Sequence, residues 1–337
     1  MTSLVSKQIR LKNRPEGLPS AGDFELAEVT VPEIKDGEVL VQNVYMSVDP
    51  YMRGRMVDRK SYIPPFQIGQ PLEGASVGRV VASKNDALNE GDYVLSMLGW
   101  REYFVSDDTG LTKIDAGLLP PQAYLGVAGM TGLTAYVGLL HIGELKEGQT
   151  VFVSAAAGAV GSVVCQIARL KGCYVVGSAG SDEKVSWLLE EAGVDAAFNY
   201  KTTDDVIAEV GRHFPDGIDV YFENVGGVHL EAALEHMKPN GHIVMCGMIS
   251  LYNAVKPVPG PSRLFYVTTK KLTMKGFIVS DHFDKLGAFI ADMGKWIADG
   301  KIKWKETIVD GIEKAPEAFI GLFKGENFGK MIVKLVD

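Results

Sequence analysis

A chain of 337 residues is about two domains long at roughly 100–200 residues each, so it can bury sizeable cores without disulfide or metal staples. Hydrophobic residues make up 46% and charged residues 23%, which excludes a disordered chain and a fibrous repeat. Lys and Arg number 34 against 42 Asp and Glu, a net charge of −8 with no dense basic block, so nucleic acid is not an expected partner.

The opening MTSLVSKQIRLKNRPEG has no apolar stretch long enough for a secretory signal, and its scattered charge argues against a membrane anchor. Up to about residue 115 the pattern is short β segments between turns. Residues 38–45 and 75–82 are Val-rich at strand spacing, and NEGD at 89–92 makes a turn before a strand at 93–96. This predicts an antiparallel, barrel-like unit. Two uncharged runs, 116–143 and 149–168, raise the transmembrane question. Prolines and glycines interrupt the first, and the second divides into strand, turn and helix, so both read as soluble core.

From Val151 onward short apolar strands alternate with helical patterns, the mark of a doubly wound parallel sheet. Strands are predicted at 151–154, 174–177, 196–199, 219–223, 242–246 and 274–278, and helices at 160–170, 184–192, 230–236 and 286–298. A helix at 315–323 and a strand at 330–336 are expected to rejoin the first unit. Cys165, Cys173 and Cys246 form no CxxC pair, which predicts reduced, buried thiols in a cytoplasmic setting.

VFVSAAAGAVGSVVCQIARLKG places Ala156, Gly158 and Gly161 at the three slots of a G-x-G-x-x-G turn, with Ala159 and Val160 between the last two. The turn follows a strand and opens a helix, so its bare backbone and positive helix end face a pyrophosphate. Ala156 in the first slot is tolerable if its φ is negative. An NAD-specific site would carry Asp or Glu at the tip of the next strand, about 20 residues on. Here the tip reads VGSAGS and has no acid. Small residues leave room for a 2′-phosphate and Lys184 can neutralise it, which favours NADPH over NADH. Ser178 and Gly180 are expected beside that phosphate, with the Tyr200 hydroxyl near. Asn224 follows the fourth strand, and Cys246, Gly247 and Ile249 follow the fifth. Ligands gather at such strand ends, so these loops are expected to face the cofactor.

With those residues in hand, the chain resembles the zinc-independent medium-chain dehydrogenase/reductases of the leukotriene/prostaglandin reductase and alkenal double-bond reductase family. The resemblance rests on SVDPYMRGRM (47–56), GMTGLTAY (129–136), SAAAGAVGSVVCQIA (154–168), GSDEKV (180–185), FNYKT (198–202), FENVGG (222–227), ISLYN (249–253) and LFKGENFGKMIVK (322–334). It implies a GroES-like antiparallel β-barrel domain (1–123 and 303–337) and an NADP-binding Rossmann domain (124–302), with the active site in the cleft between them and commonly a homodimer. By position it implies that Lys184 and Tyr200 contact the 2′-phosphate and Asn224 the ribose region. Thr131 with Phe277, Ile278 and Val279 would neighbour the nicotinamide, and Asn327 would be another cofactor contact. Tyr252 takes the place of the substrate-facing tyrosine. Tyr51 and Arg53 would line the cleft, with Tyr62 a weaker wall candidate.

The related alcohol dehydrogenases use a Gly-His-Glu motif for zinc, whereas the matching stretch here is Pro71-Leu72-Glu73-Gly74. Six scattered histidines lack thiolate partners; they are expected to be structural or surface residues, and no metal is expected. Alcohol oxidation needs zinc or a depressed-pKa Tyr/Lys pair to hold an alkoxide. An alkene conjugated to a carbonyl asks less, because its own oxygen takes the charge as an enolate. The expected reaction is therefore hydride transfer from NADPH to the β-carbon of an α,β-unsaturated aldehyde or ketone. In this reading Tyr252 and the nicotinamide ribose hydroxyl bond the enolate oxygen, and Tyr252 or water protonates the α-carbon. The alternatives are a zinc-free NADP-dependent alcohol dehydrogenase or quinone reductase, and a non-catalytic NADPH-binding protein. The loop at 257–268, PVPGPSRLFYVT, has no conformation derivable from sequence.

Overall fold

The computed structural model describes residues 4–336. The chain divides into two compact units. One comprises Met1–Gly126, Glu306–Asn327 and Met331–Asp337, and the other Val127–Lys305 with Phe328–Lys330.

The first unit begins with β1 (Val5–Leu11) and β2 (Phe24–Thr30), an antiparallel pair. β3 (Val39–Ser47) follows, then the short α1 (Met52–Arg55), β4 (Ser76–Ser83), β5 (Tyr93–Ser96), β6 (Tyr103–Ser106) and β7 (Thr112–Ile114). In β3, Val39, Val41 and Asn43 turn inward at the period of two that a half-buried strand requires.

The second unit runs α2 (Met130–Val137), β8 (Thr150–Val153), α3 (Gly161–Leu170), β9 (Tyr174–Ala179), α4 (Asp182–Glu190), β10 (Ala196–Asn199), α5 (Val206–His213), β11 (Ile218–Glu223), α6 (Val228–His236), β12 (Met237–Met245), α7 (Phe265–Thr269), β13 (Thr273–Gly276) and α8 (Leu286–Ala298). Its six strands lie in the order β10-β9-β8-β11-β12-β13, and every pairing is parallel. The order reverses between β8 and β11, the switch point at which doubly wound sheets open a crevice beyond their strand ends. All six predicted strands are present. α5 was not expected; Asp205 starts it, its Oδ1 accepting from the N–H groups of Ile207 and Ala208 at 2.9 and 3.1 Å. β12 begins five residues earlier than predicted, through a register shift that accommodates the Pro-Asn-Gly stretch.

α3 is buried from Gly161 to Ala168, as expected of a helix that is apolar nearly all round. Its polar exception is satisfied: Gln166 Nε2 donates to Ser162 O and Lys303 O at 2.9 and 2.8 Å, and its Oε1 accepts from Lys303 N at 2.8 Å.

The chain returns to the first unit with β14 (Glu306–Asp310) and α9 (Ala315–Lys324), and ends with β15 (Lys330–Lys334), which pairs antiparallel with β3. The main sheet runs β14-β15-β3-β4-β5-β7, with β6 also on β3. This is an open path; among the described residues its ladder does not close into a barrel. Phe24 stacks with Trp100 at 6.2 Å, and both meet the edge of Phe319 from α9 at 6.3 Å. The C-terminal helix thus completes the core of the unit formed by the N-terminal strands.

At the strand beginnings of the second unit, Asp219 Oδ2 accepts from Thr150 N, Thr150 Oγ1 and Lys238 Nζ, each at 2.8 Å. One carboxylate therefore ties β8, β11 and β12 together at the edge opposite the loops that matter below. Burial would raise its pKa, but the Lys238 and Thr150 donors outweigh that and hold it below the ordinary aspartate value. Its stabilisation is thus fully present above the unfolded value of about 4 and fades as pH falls through the lower native one. Asp219→Asn is expected to cost about 1–3 kcal/mol at neutral pH. In urea unfolding, the gap from wild type should narrow below about pH 4.

Candidate active site at the carboxyl ends of the parallel strands

Between β8 and α3 the backbone turns at Ala155, which takes φ +49°, while Ala156 does not have positive φ. The alanine in the first glycine slot is therefore unstrained, and its space comes from the next strand: a Cβ on Gly177 would stand 2.7 Å from the Ala156 methyl. Gly161 is required for a different reason. A Cβ there would overlap the Ala155 carbonyl oxygen and stand 2.9 Å from the Ala156 Cα. Ala156 N–H donates to Ser178 O and Gly158 N–H to Ala155 O, both at 2.9 Å. Val160 caps α3 with no side-chain acceptor; Ser162 N and Val163 N donate back to Gly158 O and Val160 O at 3.0 and 3.1 Å, and the positive end of the helix dipole lies at this turn. Gly329 crosses this turn, bridging Gly158 and donating to Ala157 O at 2.9 Å. Bare backbone brought to a helix start in this way fits a dinucleotide pyrophosphate.

The second corner lies at the tips of β9 and β10. The Tyr200 hydroxyl and Lys201 Cε are 3.1 and 3.3 Å from where a side chain at Gly180 would begin. Ser181 caps α4, accepting from Lys184 N at 3.4 Å. Burial, and then the Lys201 ammonium, hold Lys184 below the ordinary lysine pKa. Two cations thus share the corner that lacks an acid at the strand tip. Lys201 was not singled out in the sequence; its signal was adjacency to Tyr200 in FNYKT. Ser178 was expected beside the 2′-phosphate. It is fully buried within β9, and its contribution is the carbonyl that fixes the glycine turn.

Beyond β11, Asn224 is engaged with the turn itself. Its Nδ2 donates to Ser154 O at 2.7 Å and its N–H to Ser154 Oγ at 2.9 Å. Beyond β12, Cys246 N and Gly247 N both donate to Glu223 O, at 3.1 and 3.0 Å, and Ile249 N donates to Asn224 O at 3.2 Å. Burial pushes the Cys246 thiol up to about 12, with the Glu223 carboxyl adding to the effect, so it stays protonated and inert. Tyr252 ends a single turn of 3-10 helix, Ile249–Leu251. Its hydroxyl accepts from Met248 N–H at 3.4 Å and lies 3.0 Å from where a side chain at Gly247 would begin. Phe277, Ile278 and Val279, all half-buried, follow β13, and half-buried Thr131 lies in the first turn of α2.

In the first unit Tyr51, Tyr62, Asp49 and Arg55 form one group. Burial and then Asp49 raise the Tyr51 phenol well above its ordinary value, against the effect of Arg55; burial likewise raises Tyr62, with Arg55 opposing and Asp49 adding to it. Both phenols therefore stay protonated. Arg53 does not line an open face as expected. It is 4% exposed, and its Nη2 donates to Gly17 O at 2.9 Å and Pro15 O at 3.3 Å. The second arginine of the motif, Arg55, is also buried, bonded to Glu73 at 2.7 Å and lying 4.1 Å over the Phe66 ring. Glu73 is thus an ion-pair partner. Asn327 belongs to this unit by its packing, although Phe328 after it belongs to the other. Among the described residues no three His, Cys, Asp or Glu side chains gather in a way that could hold a metal ion.

Residues 7–114 match a family described as the N-terminal domain of oxidoreductase, and residues 159–293 one described as zinc-binding dehydrogenase. The chain is 49% identical over 333 residues to the putative NADP-dependent oxidoreductase YfmJ of Bacillus subtilis, covering 98% of each. It is 43% identical over 330 residues to the NADPH-dependent curcumin reductase of Escherichia coli, covering 96% of this chain and 95% of that one. With the 2-alkenal reductase (NADP(+)-dependent) of Nicotiana tabacum it shares 45% identity over 335 residues, 97% of each. Among solved structures, CurA of Vibrio vulnificus in complex with NADPH superposes with a TM-score of 0.94 at 42% identity, over 98% of this chain and 99% of that one. A full-length likeness of this closeness, joined to the turn and the strand-end loops described above, means that the chain belongs to the zinc-independent medium-chain dehydrogenase/reductases, in the branch of prostaglandin and alkenal double-bond reductases.

Proposed function

We propose that this protein reduces the carbon–carbon double bond of α,β-unsaturated aldehydes and ketones, a class that takes in alkenals, oxo-lipid enones and phenolic enones. It is an NADP-dependent oxidoreductase. The reading includes a homodimer in the cytoplasm. Among the described residues no helix is long and apolar enough to cross a membrane.

Bound NADPH supplies a hydride from its nicotinamide to the β-carbon of the substrate. The residues that would hold it are the turn from Ala156 to Gly161 for the pyrophosphate, and Lys184, Lys201 and Tyr200 for the 2′-phosphate. Asn224 keeps the two neighbouring loops in register. The observation that carries the reaction is the Tyr252 hydroxyl, fixed against the Gly247–Met248 backbone with an N–H donating into it. Accepting that bond makes the O–H a better donor. The Tyr252 O–H can donate to the carbonyl oxygen as charge moves there. The α-carbon then takes its proton from Tyr252 or from water. A conjugated carbonyl spreads the developing charge itself, so one well-placed donor suffices where an alkoxide would need more.

Tyr252→Phe is expected to lower kcat with an alkenal by up to about 100-fold to 1,000-fold without abolishing it. Following NADPH oxidation tests this, and turnover equal to wild type would reduce Tyr252 to a packing residue. Side-by-side assay of an enal, a quinone and a simple ketone should show activity with the enal well above the other two; a preference for the quinone or the ketone would overturn the reaction assigned. Lys184→Ala and Lys201→Ala should each raise KM for NADPH by about 10-fold to 100-fold, the worth of a charge-assisted bond. KM for NADH should hardly change, and the NADPH effect should shrink as salt is added.

A further inference from the structure

At the end of β11 the Glu223 side chain is 0% exposed, yet no Lys or Arg among the described residues forms a salt bridge with it. Its Oε1 instead accepts three neutral donors: Val225 N–H at 2.6 Å, Gly226 N–H at 2.8 Å and Ser154 Oγ at 3.1 Å. Those donors come from both sides of the switch point. Ser154 begins the loop that becomes the glycine turn, and Val225 and Gly226 lie in the loop beyond β11. Ser154 passes the connection on, because its Oγ accepts Asn224 N–H at 2.9 Å while its carbonyl accepts Asn224 Nδ2 at 2.7 Å. Glu223 Oε2 and the Tyr221 hydroxyl are both buried without a hydrogen-bond partner, two residues apart on the same strand, and they interact with each other electrostatically.

We infer that Glu223 is a positioning residue for the dinucleotide: its carboxyl, taking donors from both sides, locks the Ser154 loop and the 224–227 loop into one rigid cradle. The inference deepens the proposed function and rests on it for the identity of the ligand. Neutral donors with no opposing cation give a buried carboxylate little to offset its lost hydration, which on charge alone would be prohibitive. Burial accordingly raises the Glu223 pKa, against the lowering effect of the Gly226, Val225 and Ser154 donors and of the Tyr221 hydroxyl. The same backbone amides, Val225 and Gly226, would otherwise form a small anion-binding concavity. With Glu223 filling it, the phosphate-binding amides at this edge are those of the Gly158–Gly161 turn.

Glutamine keeps an oxygen that can accept from Val225, Gly226 and Ser154 and alanine keeps none, so the two substitutions separate hydrogen bonding from charge. With wild-type, Glu223→Gln, Glu223→Ala and Ser154→Ala proteins, NADPH affinity is measured by cofactor fluorescence, and kcat and KM with an alkenal. Hydrogen exchange at the Val225 and Gly226 amides is followed without cofactor. Glu223→Gln should stay within about threefold of wild type throughout. Glu223→Ala and Ser154→Ala should weaken NADPH about tenfold or more, the cost of stranding buried donors, with kcat at saturating NADPH within about threefold. In the cofactor-free proteins the two amides should exchange faster in Glu223→Ala and keep wild-type protection in Glu223→Gln. Combining Glu223→Ala with Ser154→Ala should be no worse than the worse single change, because both cut one path. If Glu223→Ala does not fold, Ser154→Ala and Glu223→Gln carry the test. Wild-type NADPH affinity in both Glu223→Ala and Ser154→Ala, or damage in Glu223→Gln as great as in Glu223→Ala, would overturn the inference. Failure of wild-type protein to bind NADPH at all would instead overturn the proposed function, and amide exchange would still report whether Glu223 holds the loops.

Discussion

No side-chain atom can be placed at Gly161 without displacing the carbonyl of Ala155, and much of the second unit's working edge is arranged around that contact. The close approach lets α3 begin directly behind the turn, so the positive end of its dipole lies where six parallel strands end. Parallel pairing then does the rest. Strands that all run one way deliver all their exit loops to one edge, which is why residues as distant in sequence as Gly158, Lys184, Asn224 and Tyr252 belong to one rim of the sheet.

Two kinds of adhesive hold that edge. On the opposite rim a charged group, Asp219, is bound to an ammonium and remains an anion. On the working rim the buried carboxyl of Glu223 meets only neutral donors. Desolvation is offset in the first case by Coulomb attraction and in the second by hydrogen bonds to a group whose charge burial disfavours. The cationic charge at the working rim is placed at the tips of β9 and β10, where burial, and then the Lys201 ammonium, depress the pKa of Lys184 against the effect of Glu183. In the proposed function this pair meets the phosphate monoester of the cofactor.

Particular residues show where sequence reading succeeds and where it stops. The six strands of the parallel sheet were legible because each is a short apolar run bounded by turns. α5 was not, because eight residues with a brief amphipathic pattern leave little periodicity to read, and its start depends on the Asp205 cap. Ala156 in a glycine slot was legible as tolerable only on a condition about φ, which the turn meets by placing the positive value on Ala155. Arg53 and Ser178 show what spacing leaves open. Both stand in motifs full of chemistry and both are buried, Arg53 against the carbonyls of Pro15 and Gly17, and burial is set by neighbours far away in the chain.

The order of residues by itself determined the class of sheet, the place of the phosphate turn, the missing acid and the replacement of the zinc-site histidine by Leu72-Glu73, because each is a local pattern of residue types at fixed spacing. Only the tertiary structure decided that Lys201 joins Lys184, that Arg55 is occupied by Glu73, that Asn224 braces Ser154, and that Glu223 sits buried between two loops. Those facts depend on which strands become neighbours. In a sheet whose order reverses at β8 and β11, residues some seventy positions apart come within hydrogen-bond reach, and no local spacing encodes that meeting.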